Sequence, residues 1–172
     1  MNNTIQMALA IFMLLLNIQT LAQKPYKSKA GLLIAKAEND YVITSHSFER
    51  VTVSLDYDRA EVEIRFMPET IHQDSIFLRD EPIELKVSLS IPSIKTQPHP
   101  DQRFFTRGKL NYNNKTYSLH GTGELKYHPG GETYTCTLML QLKLSKSESL
   151  LLPEIGKIIE FHLHQTVLDR DF

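Results

Sequence analysis

The chain has 172 residues, and its 19 lysines and arginines against 20 aspartates and glutamates give a formal net charge of −1. Such a balance, with both signs interspersed, argues against a nucleic-acid-binding protein and against a protein held on an anionic membrane surface. The one cysteine, Cys136, excludes an internal disulfide, and its strand-like surroundings predict a small apolar core side chain. A chain of this length is long enough to bury an ordinary hydrophobic core.

The first 22 residues have the composition of a secretory signal peptide. They contain no acidic or basic side chain, and Met7 to Leu16 is strongly apolar. This run is about half the roughly 20 residues that cross a bilayer as a helix. Thr20 and Ala22 are small residues at the −3 and −1 positions of a cleavage site, so the mature chain is predicted to begin at Gln23. A retained membrane anchor is the alternative.

We therefore predict an exported protein, periplasmic or secreted, that has no integral membrane segment after cleavage. The cleavage point lacks the cysteine of a bacterial lipoprotein, so the mature chain is expected to be free. Residues 23–30 are predicted to be its flexible start, and residues 31–172 a single β domain.

Apolar and polar residues alternate along most of the mature chain. Residues 51–55 and 60–66 each have one apolar face, and the short polar turn at 57–59 predicts a hairpin between them. Asn113 and Asn114 tolerate positive φ and predict a second tight hairpin. The same alternation recurs over 83–91, 110–127, 134–144 and 159–167. Only one turn, around Pro153 to Lys157, has any helical character.

These patterns predict an all-β fold, an antiparallel up-and-down barrel of about eight strands. Seven to nine strands follow one another with short turns, as barrels and sandwiches require. Several are long, which favours the barrel. Gly121 and Gly123 lie inside one strand, and glycines let a strand bend sharply as a sheet closes.

The stretch from Phe104 to Asp169 resembles the C-terminal half of the YceI-like family of exported lipocalin-like barrels. The similarity lies in FFTRGKLNYNNKTYSLHGTGELKY, in the strand ending at Ser145, and in the segment PEIGKI before the closing strand. The resemblance implies an eight-stranded barrel whose apolar tunnel binds a polyisoprenoid. It covers less than half of the mature domain and consists of strand and turn residues.

The leading functional hypothesis is a non-enzymatic barrel that binds an apolar ligand, of isoprenoid or fatty acyl type, in its interior. Long aliphatic side chains on the apolar faces would bury such a chain at about 0.8 kcal/mol per CH₂. The predicted ligand-lining residues are Leu85, Val87, Leu89, Leu119, Leu138, Leu140, Phe161 and Leu163. The alternative is a protein-interaction module of the cell envelope with a filled core and no ligand, acting through surface loops such as Gln97 to Arg103.

No catalytic residue, metal site or cofactor is predicted. His162 and His164 stand two apart on one strand and share a face, but two histidines without further ligands are more simply an exposed pair. The remaining histidines lack the spacing of a nucleophilic triad, and no G-x-S-x-G, phosphate-loop or H-E-x-x-H motif occurs. The mixed charges between Arg50 and Arg65 predict the solvated face of a hairpin.

Overall fold

The computed structural model describes residues 25–39, 42–67, 82–91, 100–128, 135–145, 148, 150–152 and 155–169. Every regular element among these residues is a β-strand. The strands are β1 (Tyr26–Asn39), β2 (Val42–Asp56), β3 (Glu61–Phe66), β4 (Ile83–Leu89), β5 (Gln102–Tyr112), β6 (Lys115–His128), β7 (Thr135–Leu144), β8 (Leu150–Leu152) and β9 (Gly156–Asp169).

Eight of the strands close into an antiparallel barrel. Strands β1 to β7 pair in chain order, β7 pairs with β9, and β9 pairs back onto β1. The short strand β8 takes up the pairing of β9 where β7 ends, since Lys143 is paired with Glu160 and Leu150 with Ile158. The predicted all-β antiparallel barrel is therefore confirmed.

Local turn chemistry explains two of the hairpins. Asn113 and Asn114 adopt φ values of 51° and 57° between β5 and β6, as a two-residue turn with positive φ at both positions requires. Between β2 and β3, the Asp56 carboxylate accepts hydrogen bonds from the backbone N–H groups of Asp58 and Arg59, at 3.0 and 3.1 Å. The turn continues to Ala60, whose φ is 52°, so β3 begins one residue later than the sequence pattern suggested.

The apolar faces of the strands meet inside the barrel and form one hydrophobic core. The alternation is clearest in β3 and β4, where every second residue is buried. Aromatic rings cross this interior: the ring centroids of Phe48 and Phe66 are 4.5 Å apart, and those of Phe66 and Phe161 are 5.9 Å apart. Cys136 is fully buried, as predicted for a core side chain.

Two glycines of β6 permit close approaches that a side chain would prevent. A Cβ atom on Gly121 would lie 1.8 Å from the Gln141 carbonyl oxygen of β7. A Cβ atom on Gly123 would lie 2.4 Å from Phe104 Cε2 and 2.6 Å from Leu140 Cδ2. Gly121 thus lets strands β6 and β7 come together. The space beside Gly123 is already filled by the side chains of Phe104 and Leu140.

The barrel starts earlier in the chain than predicted. Residues 26–30, assigned from the sequence to a flexible start, belong to β1, where Tyr26 is paired with Leu55. The Tyr26 ring packs against Tyr57, with centroids 4.3 Å apart, and this buried contact extends the core beyond residue 31. The predicted signal peptide, Pro98, His99, the turn at Pro129 to Gly131 and Pro153–Glu154 lie outside the described residues.

Candidate functional site

The structure places all eight predicted ligand-lining residues in the barrel interior. None of these side chains is more than 5% exposed. They belong to one continuous core: Leu85, Val87, Leu89, Leu119, Leu138, Leu140, Phe161 and Leu163. A water-filled tunnel alongside these side chains would leave them accessible to solvent, so their low exposure indicates a packed interior.

Among the described residues, few polar groups lie inside the barrel. Burial and the neighbouring Cys136 raise the pKa of the Tyr57 hydroxyl, so this group stays neutral within the core. Thr166 donates a hydrogen bond to the carbonyl oxygen of His164, at 2.7 Å. Thr106 Oγ1 is buried without a hydrogen-bond partner, an arrangement that costs about 1–3 kcal/mol for a polar atom left unpaired.

The outer wall carries an open concavity whose lining is mostly apolar. We call it the outer groove; it has a volume of about 780 Å³ and crosses strands β5, β6, β7 and β9. Phe105 stands at one side with 73% of its surface exposed. Thr122 and Met139 lie between it and the two histidines of β9. A groove of this size lies within the usual range for small-molecule sites, about 300–1,000 Å³.

The strand register builds the outer groove from residues far apart in the chain. Phe105 is paired with Thr122, Thr122 with Gln141, and Gln141 with His162. Directly paired residues present their side chains on the same face of a sheet, so these four residues form one transverse row. Short Thr122 follows exposed Phe105 in this row, which leaves the ring standing above its neighbour.

Glu160 fixes one end of the groove by holding three polar side chains together. Its carboxylate accepts a hydrogen bond from Gln141 Nε2 and lies 3.5 Å from Lys36 Nζ and 2.8 Å from His162 Nε2. The last contact is short but is not aligned as a hydrogen bond, since His162 Nε2 has no geometrically acceptable partner. The contact between the two side chains is therefore electrostatic.

These partners determine the charge state of Glu160. Burial by itself would raise the pKa of this carboxyl, but the hydrogen bond from Gln141, the contact with His162 and the charge of Lys36 outweigh it and lower the pKa. The carboxylate is thus the ionised form near neutral pH, and it orients Gln141 and His162 along the groove.

A second, smaller concavity of about 540 Å³ adjoins the outer groove. Phe105, Thr122 and Gln141 line both of them, and the smaller one adds Arg107, His120 and Lys143. A third groove, over β2 to β5, carries charges of both signs: Asp56, Glu61 and Glu63 against Arg59, Lys86, Arg107 and Lys109. The combination of exposed apolar surface with unbalanced charge thus lies on the β5–β6–β7–β9 wall.

The two histidines of β9 lie on the outer wall, as their spacing predicted. His162 is half-buried against Glu160 and His164 is exposed. Among the residues that the structure describes, no group of three histidine, cysteine or acidic side chains is arranged to hold a metal ion. The charged β2–β3 hairpin also matches its prediction, with Arg65 joined to Glu84 across the strands at 3.1 Å.

Sequence reasoning missed the outer groove, although two residues signalled it. Phe105 follows Phe104, so one of two adjacent aromatic rings must face outward from a strand. Met139 is the apolar exception on the polar face of β7. Both departures from alternation lie at the groove, because an apolar residue facing outward breaks the pattern that the core imposes.

No protein-family model matches the chain, and no curated protein or solved structure is significantly similar to it. Within the part of the chain that the structure describes, no helix is long and apolar enough to cross a membrane.

Proposed function

We propose that this protein is a non-enzymatic, exported binding protein that holds the apolar chain of a small molecule in the outer groove. The observation that carries the proposal is the exposed Phe105 ring standing over a 780 Å³ groove, on a barrel whose interior side chains are covered. An apolar ligand placed there covers the ring and the Met139 side chain. Covering a phenylalanine contributes about 1.5–3 kcal/mol.

The filled interior supports the outer wall as the binding surface. The packed Phe48, Phe66 and Phe161 rings occupy the interior where a chain would pass. Entry of a ligand there requires these rings to move apart, and close-packed cores resist insertion at a cost of about 1–3 kcal/mol for extra methylene groups. The outer groove requires no such rearrangement.

Binding of the neutral apolar dye Nile red tests the proposal. Wild-type protein is expected to bind the dye saturably at one site, seen as an increase in fluorescence. Phe105→Ser is expected to weaken binding about tenfold, since it removes most of the apolar contact. Leu151→Ser is the matched control, because Leu151 is also an exposed apolar residue, 69% accessible, but lies on β8.

Equal effects of the two substitutions, or no effect of Phe105→Ser, would contradict the proposal. Absence of any saturable dye binding would instead favour the interaction module with a filled core, which contacts a protein partner and needs no apolar site. Export is tested separately: intact mass measurement on protein isolated from its host is expected to show a chain beginning at Gln23.

A second candidate is the interior apolar ligand suggested by the resemblance to YceI-like barrels. The unpartnered, buried Thr106 hydroxyl favours it, because a ligand with one polar end would satisfy this group. Lipid extraction and mass spectrometry of protein purified without detergent distinguish the two sites. An interior ligand is retained at one per chain in Phe105→Ser, whereas the amount of a groove ligand falls below that of wild type.

A further inference from the structure

Three cationic or nitrogen-donor side chains form a line beside the outer groove. We call Arg107, His120 and Lys143 the basic row. Arg107 is paired with His120 across β5 and β6, and His120 is paired with Lys143 across β6 and β7. All three residues are exposed. Neighbouring strands lie about 4.8 Å apart, so the row spans roughly 10 Å.

The stability of the barrel gives no reason for this row. Arg107 and Lys143 carry the same charge two strands apart, on either side of His120, so the row contributes no attractive cross-strand pair to the sheet. Among the described residues, none of the three has a carboxylate within ion-pair distance. This contrasts with the exposed Arg65, which contacts both Glu63 and Glu84.

Two acids of the same wall, Glu160 and Glu124, are engaged elsewhere. Glu160 is paired with Lys143 in the strand register, but its carboxylate contacts Lys36, His162 and Gln141. Glu124 contacts Arg103 at 3.4 Å and Lys126 at 3.9 Å. Within the described part of the chain, the basic row therefore offers donors without an ion-pair partner, as a site for an anion does.

The row is continuous with the apolar groove. Arg107 lies two residues from Phe105 on the same face of β5, a distance of roughly 7 Å along a strand. Phe105, Thr122 and Gln141 form a shared wall between the two concavities. A molecule that lies across this wall meets apolar surface on one side and positive charge on the other.

We propose that the basic row is the anion-binding end of the outer groove, so that the ligand is a single-chain amphiphile with an anionic head group. This inference rests on the proposed function, since it assigns the head group of the same ligand. The arginine and lysine bind the charged oxygens, while the histidine ring lies between them as a further donor. The chain extends past Phe105 towards Met139.

Calorimetric titration with three probes tests the inference: octyl phosphate, octyl glucoside and inorganic phosphate. Wild-type protein is expected to bind octyl phosphate at least about tenfold more tightly than octyl glucoside. The double variant Arg107→Gln/Lys143→Gln is expected to lose this preference while its binding of octyl glucoside is unchanged. Lys27→Gln/Lys115→Gln is the control for net charge, because both lysines are exposed and lie outside both concavities.

The other outcomes of the titration distinguish failure of the anion site, of the amphiphilic ligand and of the proposed function. If octyl glucoside and octyl phosphate bind equally, or if the control variant loses the preference as well, the anion site is wrong and the apolar groove stands. If inorganic phosphate binds as tightly as octyl phosphate, the row binds anions without a chain and the amphiphile is wrong. If neither octyl probe binds, the proposed function fails and this inference fails with it.

Discussion

The interior and the outer wall of the barrel are built from alternate residues of the same strands, yet they differ in how completely neighbours cover them. Phe104 faces inward and is 6% exposed, whereas Phe105, the next residue, is 73% exposed. Inside, closure of the sheet forces side chains from all strands together. Outside, the same curvature spreads side chains apart, so a short residue such as Thr122 beside a large one leaves a groove. Strand alternation thus yields a packed core and an open site at adjacent positions.

The sharpest way to test this difference is to truncate one aromatic ring on each side. Phe66→Ala removes a fully buried ring that contacts Phe48 and Phe161, and we expect it to lower the free energy of unfolding by about 3–5 kcal/mol. Phe105→Ala removes an exposed ring, and a change within about 0.5 kcal/mol is expected. Urea unfolding measures both. A similar loss in the two variants would mean that Phe105 is part of the core.

A methyl group at Gly121 tests how closely strands β6 and β7 approach. Gly121→Ala places Cβ against the Gln141 carbonyl oxygen, and moving the strands apart is expected to cost about 1–3 kcal/mol in the same unfolding assay. Thr122→Ala, at the next position but facing outward, is the matched control and should change stability little. Equal stability of Gly121→Ala and wild type would contradict the close approach.

Thr106→Val tests whether the barrel interior contains water or the polar end of a ligand. Valine has nearly the shape of threonine, and the buried hydroxyl has no partner. Its removal is expected to raise the free energy of unfolding by about 1 kcal/mol. Thermal unfolding provides the measurement. A destabilised variant would show that the hydroxyl is hydrogen-bonded in solution and would favour a ligand or water inside the barrel.

The smallest expected effect concerns the pH dependence contributed by Glu160 on the outer wall. Because its pKa is lowered from 4.5 in the folded chain, its ionised form stabilises the fold above about pH 4.5, and this contribution is lost as the pH falls through the lowered pKa. Glu160→Gln is expected to be less stable than wild type by less than about 1 kcal/mol near pH 7. The difference in the free energy of unfolding between the two proteins should shrink on acidification. A constant difference between pH 7 and pH 3 would contradict a stabilising role of the ionised Glu160 carboxylate.

Strand alternation predicted the barrel well because the core imposes it on every strand. The Asn113–Asn114 turn and the inward direction of Leu85 and Leu138 were likewise predictable from local chemistry and period two. The filling of the interior was not, since it depends on how rings from β2, β3 and β9 meet across the barrel. The basic row was also hidden, because Arg107, His120 and Lys143 become neighbours only through the pairing register.

The most direct test of a filled interior with an external site is the position of a bound alkyl chain. Octyl glucoside is added to protein carrying ¹³C-labelled leucine, methionine and phenylalanine, and contacts are read from intermolecular nuclear Overhauser effects. We predict contacts from the octyl protons to the Met139 methyl group and the Phe105 ring. Contacts to Leu85, Leu138 and Phe161 instead would place the chain inside the barrel and contradict the account.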